Sequence, residues 1–202
     1  MLTNKFKINY SIGSVANGIK TDTFTFFLLF FYSNIIGLNP ALAGLAIFIA
    51  LCIDAVTDPL MGTISDRTNS FLGRRHPYML ISFIPMSLGY IFLFAPRQDW
   101  DMSQNDLFLW MTIFTVLTRL GMTLFDIPHR AFGGEITKNY EERTLLMSWR
   151  EMIGWVAGLS NAFLGYGIFF TSTPEYPQGQ LNPDAWFPFA LTGAIFMIIS
   201  VL

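Results

Sequence analysis

Long apolar stretches separated by short polar breaks run the length of the chain. Six stand out, at about 8–36, 40–64, 77–95, 106–132, 144–171 and 185–202. A helix needs about 20 apolar residues to cross a bilayer. Each stretch is near or above that length, and the excess allows tilt. The pattern predicts an all-α membrane protein with six transmembrane helices in one bundle over residues 1–202. The breaks fall where turn residues gather, at 37–40, 66–76, 96–105 and 173–184. The first stretch is too long for a signal peptide and lacks a small-residue cleavage pattern, so it is expected to remain as an anchor. The last runs to Leu202 with no charged flank. That ending predicts half of a longer protein, or a fragment, whose site a second half completes.

Only 13% of the residues are charged, against about 25% in an ordinary soluble domain. No basic block and no Cys/His cluster supports nucleic-acid or zinc binding. The one cysteine, Cys52, reads as a small buried apolar residue. Basic residues in the breaks are strongly asymmetric. Lys5, Lys7, Arg67, Arg74, Arg75, Lys138 and Arg143 share one side if the spans alternate, and only Arg97 lies opposite. The positive-inside bias then puts the N-terminus in the cytoplasm.

The charges inside the spans carry the functional signal. Asp54 and Asp58 lie four residues apart, on one helix face. A carboxylate in hydrocarbon costs about 2.5–3.5 kcal/mol even on an insertion scale, so both are expected to face a polar interior. Two close carboxylates suit a small hard cation, and the same groups can take a proton, so Na⁺ and H⁺ both stay open. Pro59 follows Asp58 and either kinks the helix or frees a carbonyl as a further ligand. Asp126 and Arg130 are spaced to neutralise each other. Arg119 lies one heptad before Asp126, on roughly its face, and its partner stays open. Lys20 and Asp22 do not face each other, so each needs a partner on another helix. Arg150 and Glu151 occupy the fifth span. The phenylalanines of the first span, such as Phe24, Phe27 and Phe31, read as packing or lipid-facing residues.

Three segments together resemble one family. They are Asp54-Ala55-Val56-Thr57-Asp58-Pro59-Leu60-Met61-Gly62 with Ser65-Asp66-Arg67-Thr68 and Gly73-Arg74-Arg75-His76-Pro77; Asp126-Ile127-Pro128-His129-Arg130 through Thr137; and Trp149-Arg150 with Gly154 and Gly158. In this order they resemble the N-terminal half of the glycoside–pentoside–hexuronide:cation symporters of the major facilitator superfamily, which include melibiose permease. The resemblance implies a 3+3 inverted repeat and cation-coupled symport of a sugar or glycoside by alternating access, in a bacterial inner membrane. It implies cation ligands at Asp54 and Asp58, with Thr123 as a neutral ligand, and sugar-hydroxyl partners at Asp126 and Arg150. Asp66, Arg67, Arg74 and Arg75 resemble the superfamily's cytoplasmic gate. The expected partners are the sugar, a monovalent cation, the lipid bilayer and the missing C-terminal half or a second half-transporter. No cofactor beyond the coupling ion is expected. The chain departs from melibiose permease at Gly18, where that carrier has a sugar-binding acid in helix one, and Asp22 one turn on is a candidate replacement. It departs again at Arg130, where an aromatic is expected. The alternatives are a carrier of the same fold for a lysolipid or organic anion, and an inactive or structural half-transporter. An intramembrane aspartyl protease needs acids on two helices, one in a Gly-x-Gly-Asp setting, and the chain has no such motif. No enzyme activity is expected.

Overall fold

The computed structural model describes residues 2–202, and among them helices and turns are present without strands. Helix α1 spans Asn4–Ile12 and α2 Ser14–Asp22. The chain continues through π-helical segments Thr23–Leu28 and Phe31–Ile36. Then follow α3 (Pro40–Arg67), α4 (His76–Ile81), α5 (Phe83–Leu93), α6 (Gln104–Ile136), α7 (Tyr140–Leu164) and α8 (Trp186–Val201). A π-helical segment, Gly165–Phe169, extends α7.

Local chemistry explains the ends. Asn39 caps α3 through the Ala41 amide, and Pro40 takes the first-turn position where a missing N–H costs nothing. Ser103 and Asp106 form a reciprocal capping box at α6. Gly37, at φ 85°, ends the first helical run in the left-handed conformation. Helix α3 begins at the expected Pro40 and runs past the expected 64 to Arg67, and α6 exceeds the expected 106–132 at both ends. The third span breaks at Ser82, because Pro85 cannot donate to the Ile81 carbonyl.

Among the described residues five helical stretches are long and apolar enough to cross a membrane: Pro40–Arg67, His76–Leu93, Gln104–Ile136, Tyr140–Phe169 and Pro183–Val201. The first stretch, 4–36, is helical throughout but interrupted at Gly13 and at the two π segments. None of its pieces reaches crossing length alone, and the stretch packs against the others through α2 on α7 and α8.

Packing follows a two-fold rule. Helix α2 packs on α7, α3 on α6, α5 on α6 and α8, and α2 on α8. Number the spans one to six and exchange one with four, two with five and three with six. The one–five pair becomes four–two, three–four becomes six–one, and three–six maps onto itself. The observed neighbours are unchanged by that exchange, as an inverted repeat of two three-helix units requires. Close approach in this set depends on glycine. A Cβ on Gly121 would overlap the Met86 backbone where α6 crosses α5. Small residues let helix backbones approach where lipid supplies no hydrophobic drive between them.

One end of the bundle is closed by aromatics. Trp186 is fully buried among Phe27, Phe31, Phe94, Phe170 and Phe189, with its centroid 4.6 Å from that of Phe170, and its Nε1 donates to the Gln180 carbonyl at 3.0 Å. Thus Phe27 and Phe31 pack inward, while Phe26 is exposed. The outward faces of α3 (Leu45, Phe48, Val56, Leu60) and α7 (Trp155, Leu159, Phe163) expose large apolar side chains, suited to lipid or to another helical bundle. Cys52 belongs to the α3 face and is exposed rather than buried. The reason is that α3 meets the bundle through a strip of alanines (Ala43, Ala46 and Ala50), and Cys52 lies off that strip.

Candidate functional site

Two small half-open cavities lie side by side. The first, about 70 Å³, is lined by Lys20, Asp54, Asp58, Arg119, Thr123 and Asp126, among others. The second, about 90 Å³, is lined by Gly18, Asp22, Arg150, Glu151 and Trp155, among others. Asn17 on α2 borders both.

In the first cavity α3 presents Asp54 and Asp58 to α6, as their i,i+4 spacing requires. Thr123 Oγ1 donates to Asp58 Oδ1 at 2.7 Å. Asp54 Oδ2 pairs with Arg119, whose guanidinium also lies 5.5 Å from the centre of the Phe24 ring. Arg119 therefore turns to Asp54, not to Asp126. Asp54 Oδ1 is buried without a hydrogen-bond partner. Lys20 reaches this cavity from α2 and makes no ion pair among the described residues. The carbonyl that Pro59 leaves without a helical donor belongs to Ala55, which is exposed. That geometry makes Pro59 a feature of the helix, away from the cavity.

Asp126, in the first cavity, is tied to the second through Arg150. Its Oδ1 accepts from Arg150 Nη2 and its Oδ2 from Arg130 Nε at 2.6 Å, so the local pair expected with Arg130 forms alongside a second, interhelical one. Arg150 is 1% exposed. Its Nη1 donates to Glu151 Oε1 at 2.5 Å. Its Nε lies 3.4 Å from His129 Nδ1. The His129 ring stacks between Tyr10 and Phe125 at 4.3 and 5.0 Å, and Tyr10 Oη donates to the His129 carbonyl at 2.8 Å. His129 thus holds Arg150 against Asp126. Sequence reasoning missed this role, although His129 lies one turn after Asp126 in the quoted segment. It placed Glu151 in the fifth span beside Arg150 but assigned it no partner.

Asp22 is 4% exposed, and its Oδ2 has no hydrogen-bond partner. It sits against Gly158, where a Cβ would overlap that oxygen. Asp22 and Arg150 thus share the second cavity without forming an ion pair. Gly18 packs directly on Gly154, and a Cβ there would overlap the Gly154 carbonyl. The α2–α7 crossing leaves no room for a helix-one acid at position 18.

At the end of the bundle carrying the 66–76 break, Arg75 Nη2 binds Asp66 Oδ1 at 2.6 Å and Glu135 Oε1 at 3.0 Å, and Arg74 binds Glu135 at 3.1 Å. Arg67 is exposed and makes no ion pair among the described residues. Glu135, at the end of α6, is the shared acceptor that sequence reasoning did not single out. The Arg75 side chain is buried and its acceptors are half exposed. Arg75→Ala is therefore expected to lower stability by about 1.5 kcal/mol, the low end for hydrogen bonds to charged groups. Thermal unfolding of the purified protein would check this, and an unchanged midpoint would contradict it.

A helical bundle with opposed charges on its polar side and apolar outer faces has the architecture of a multi-pass membrane protein. Residues 9–202 match the family model for the MFS/sugar transport protein, and the chain belongs to that family of transporters. The inner membrane symporter YicJ of Escherichia coli is 31% identical over 164 residues, covering 81% of this chain and 35% of its own length. The putative glycoside/cation symporter YagG of the same organism is 30% identical, covering 87% and 44%. The sodium-dependent lysophosphatidylcholine symporter 1-A of Danio rerio is 31% identical, covering 86% and 32%. The chain thus spans less than half the length of these relatives.

Proposed function

We propose that the complete carrier couples the inward movement of a sugar or glycoside to that of a monovalent cation, Na⁺ or H⁺, across a bacterial inner membrane. Residues 1–202 form its N-terminal six-helix half, with the N-terminus in the cytoplasm. The observation that supports this best is the direct neighbourhood of two sites. Asp54, Asp58 and Thr123 line one cavity, and Asp126 joins it to Arg150 in the next. A cation at the acids lowers the cost of their burial. A sugar hydroxyl donates to Asp126 or Asp22 and accepts from Arg150. Because Asp126 lines the first cavity and pairs with Arg150 of the second, occupancy of one changes the field in the other. Linkage then requires each ligand to raise the other's affinity by the same factor. Alternating access follows from rocking this half against a second half around the midplane site. The Asp66, Arg67, Arg74 and Arg75 cluster, with Glu135, closes the cytoplasmic side in the outward-facing state.

The experiment is uptake of labelled glycosides into cells or vesicles containing the protein as its gene encodes it. Asp58→Asn is expected to abolish cation-stimulated accumulation while leaving a folded, membrane-inserted protein. Asp54→Asn is expected to do the same. Normal accumulation by both variants would defeat the assignment. The relative named as a lysophosphatidylcholine symporter favours a second reading, in which the same fold carries a lysolipid. A thermal-shift screen of the purified protein against glycosides and lysolipids separates the two by which class stabilises it.

A further inference from the structure

Arg119 is the feature of the first cavity that the proposed mechanism leaves without a task. It reaches from α6 across to α3 and pairs with Asp54 Oδ2, while its guanidinium lies near the Phe24 ring. Both side chains are largely shielded, at 14% exposure for Arg119 and 21% for Asp54. Lys20 lines the same cavity from α2. A fixed positive charge, the Arg119 guanidinium, therefore stands where an incoming cation has to go.

A sodium ion entering such a site gives up most of its water and needs oxygen ligands in return, with enough negative charge to offset dehydration. Asp54 and Asp58 would together provide that charge. With Arg119 on Asp54, one of the two carboxylates is already neutralised. Asp58 is left as the accessible anionic ligand, with the Thr123 hydroxyl beside it. Arg119 also repels any added cation directly, and in a partly buried site that repulsion is weakly screened. The remaining charge near the cavity, Asp126, is held by Arg150 and Arg130.

We propose that Arg119 is the resident counter-ion of Asp54 and determines the ion specificity of the site by excluding sodium. This inference rests on the reading of Asp54 and Asp58 as the cation site, and it narrows which ion that site accepts. Arg119 acts as a tethered cation: it neutralises one arm of the pair and remains attached to its helix. The same acids without it would form a two-carboxylate sodium site.

The test is a sodium titration of the purified protein, encoded as in its gene, at constant ionic strength with choline replacing sodium. Thermal unfolding and ²²Na⁺ equilibrium binding are the readouts. The wild type is expected to show no sodium-specific shift and no saturable ²²Na⁺ binding up to 150 mM, about the physiological ionic strength. Arg119→Gln, and Arg119→Gly as a smaller alternative, are expected to gain saturable ²²Na⁺ binding, at least tenfold tighter than any in the wild type. Adding Asp58→Asn to either variant is expected to remove the gain. Saturable sodium binding by the wild type that Asp58→Asn abolishes would overturn the inference and leave the cation-site reading intact. A folded Arg119 variant without sodium binding would also overturn it. Sodium binding by the wild type overturns the inference even if both Arg119 variants fail to fold. Failure of the underlying reading has a different signature: Asp54→Asn and Asp58→Asn would both accumulate substrate normally.

Discussion

Arg150→Ala is expected to destabilise the bundle by about 3 kcal/mol and to abolish substrate uptake. Arg150 is 1% exposed and holds three groups together: Asp126 on α6, Glu151 on its own helix and, through its Nε, the His129 ring. Removing one partner of a buried ion pair costs about 3–5 kcal/mol, because the other charge stays buried without compensation. The low end applies here, since Asp126 keeps Arg130 and Glu151 is half exposed. The double variant Arg150→Ala/Asp126→Ala removes both charges and is expected to be more stable than Arg150→Ala alone. Thermal or denaturant unfolding in detergent would measure all three proteins. A double variant less stable than the single would show that Asp126 and Arg150 do not compensate each other. Uptake should be lost in both, because the proposed sugar clamp is gone in both. A full-activity Arg150→Ala protein would remove Arg150 from the substrate site.

Gly18→Asp, which introduces the helix-one acid that the resemblance to melibiose permease would lead one to expect, is expected to prevent folding of this bundle. The obstacle is backbone. A Cβ at position 18 would overlap the Gly154 carbonyl, and a main-chain atom of a packed helix cannot move aside as a flexible side-chain end can. Overpacking alone costs about 1–3 kcal/mol, and the aspartate adds a buried charge with no partner there. Gly18→Ala separates the contributions, since it brings the steric clash without the charge. It should yield a folded but clearly destabilised protein. The yield of monodisperse protein on size-exclusion chromatography and the unfolding midpoint would check both variants. A well-folded Gly18→Asp protein would show that α2 and α7 can separate. It would then also weaken the case that Asp22, one turn further on, has taken over the helix-one carboxylate.

Several features of the site could be read before any fold was known. The four-residue spacing of Asp54 and Asp58 places them on one face in any helix, and hydrophobic surroundings require that face to look inward. The i,i+4 spacing likewise makes Arg130 a partner of Asp126. The second partner of Asp126 was legible only through the resemblance of Asp126 and Arg150 to a family's sugar-binding residues. Nothing in the spacing points Arg119 at Asp54. The heptad to Asp126 points it elsewhere, and only the packing of α3 on α6 brings the guanidinium across. His129 has the same history: its ring is held by Tyr10 from α1 and by Phe125 on its own helix. The exposure of Cys52 depends on which strip of α3 meets α6, and the alanines that mark that strip look ordinary in an apolar run.

Membrane crossing, the all-helical architecture and the presence of buried acids follow from local properties of the chain. Apolar length, turn residues and residue spacing act within one helix, and the bilayer enforces them whatever the neighbours are. Which charge meets which, where the two cavities lie, and why position 18 must be glycine arise only when helices far apart in sequence are brought together. Such contacts depend on the rotation and crossing of each helix, which small residues and neighbouring side chains set. A carboxylate in the bilayer needs compensation, and tertiary packing decides whether it comes from a visiting ion or from an arginine already in place.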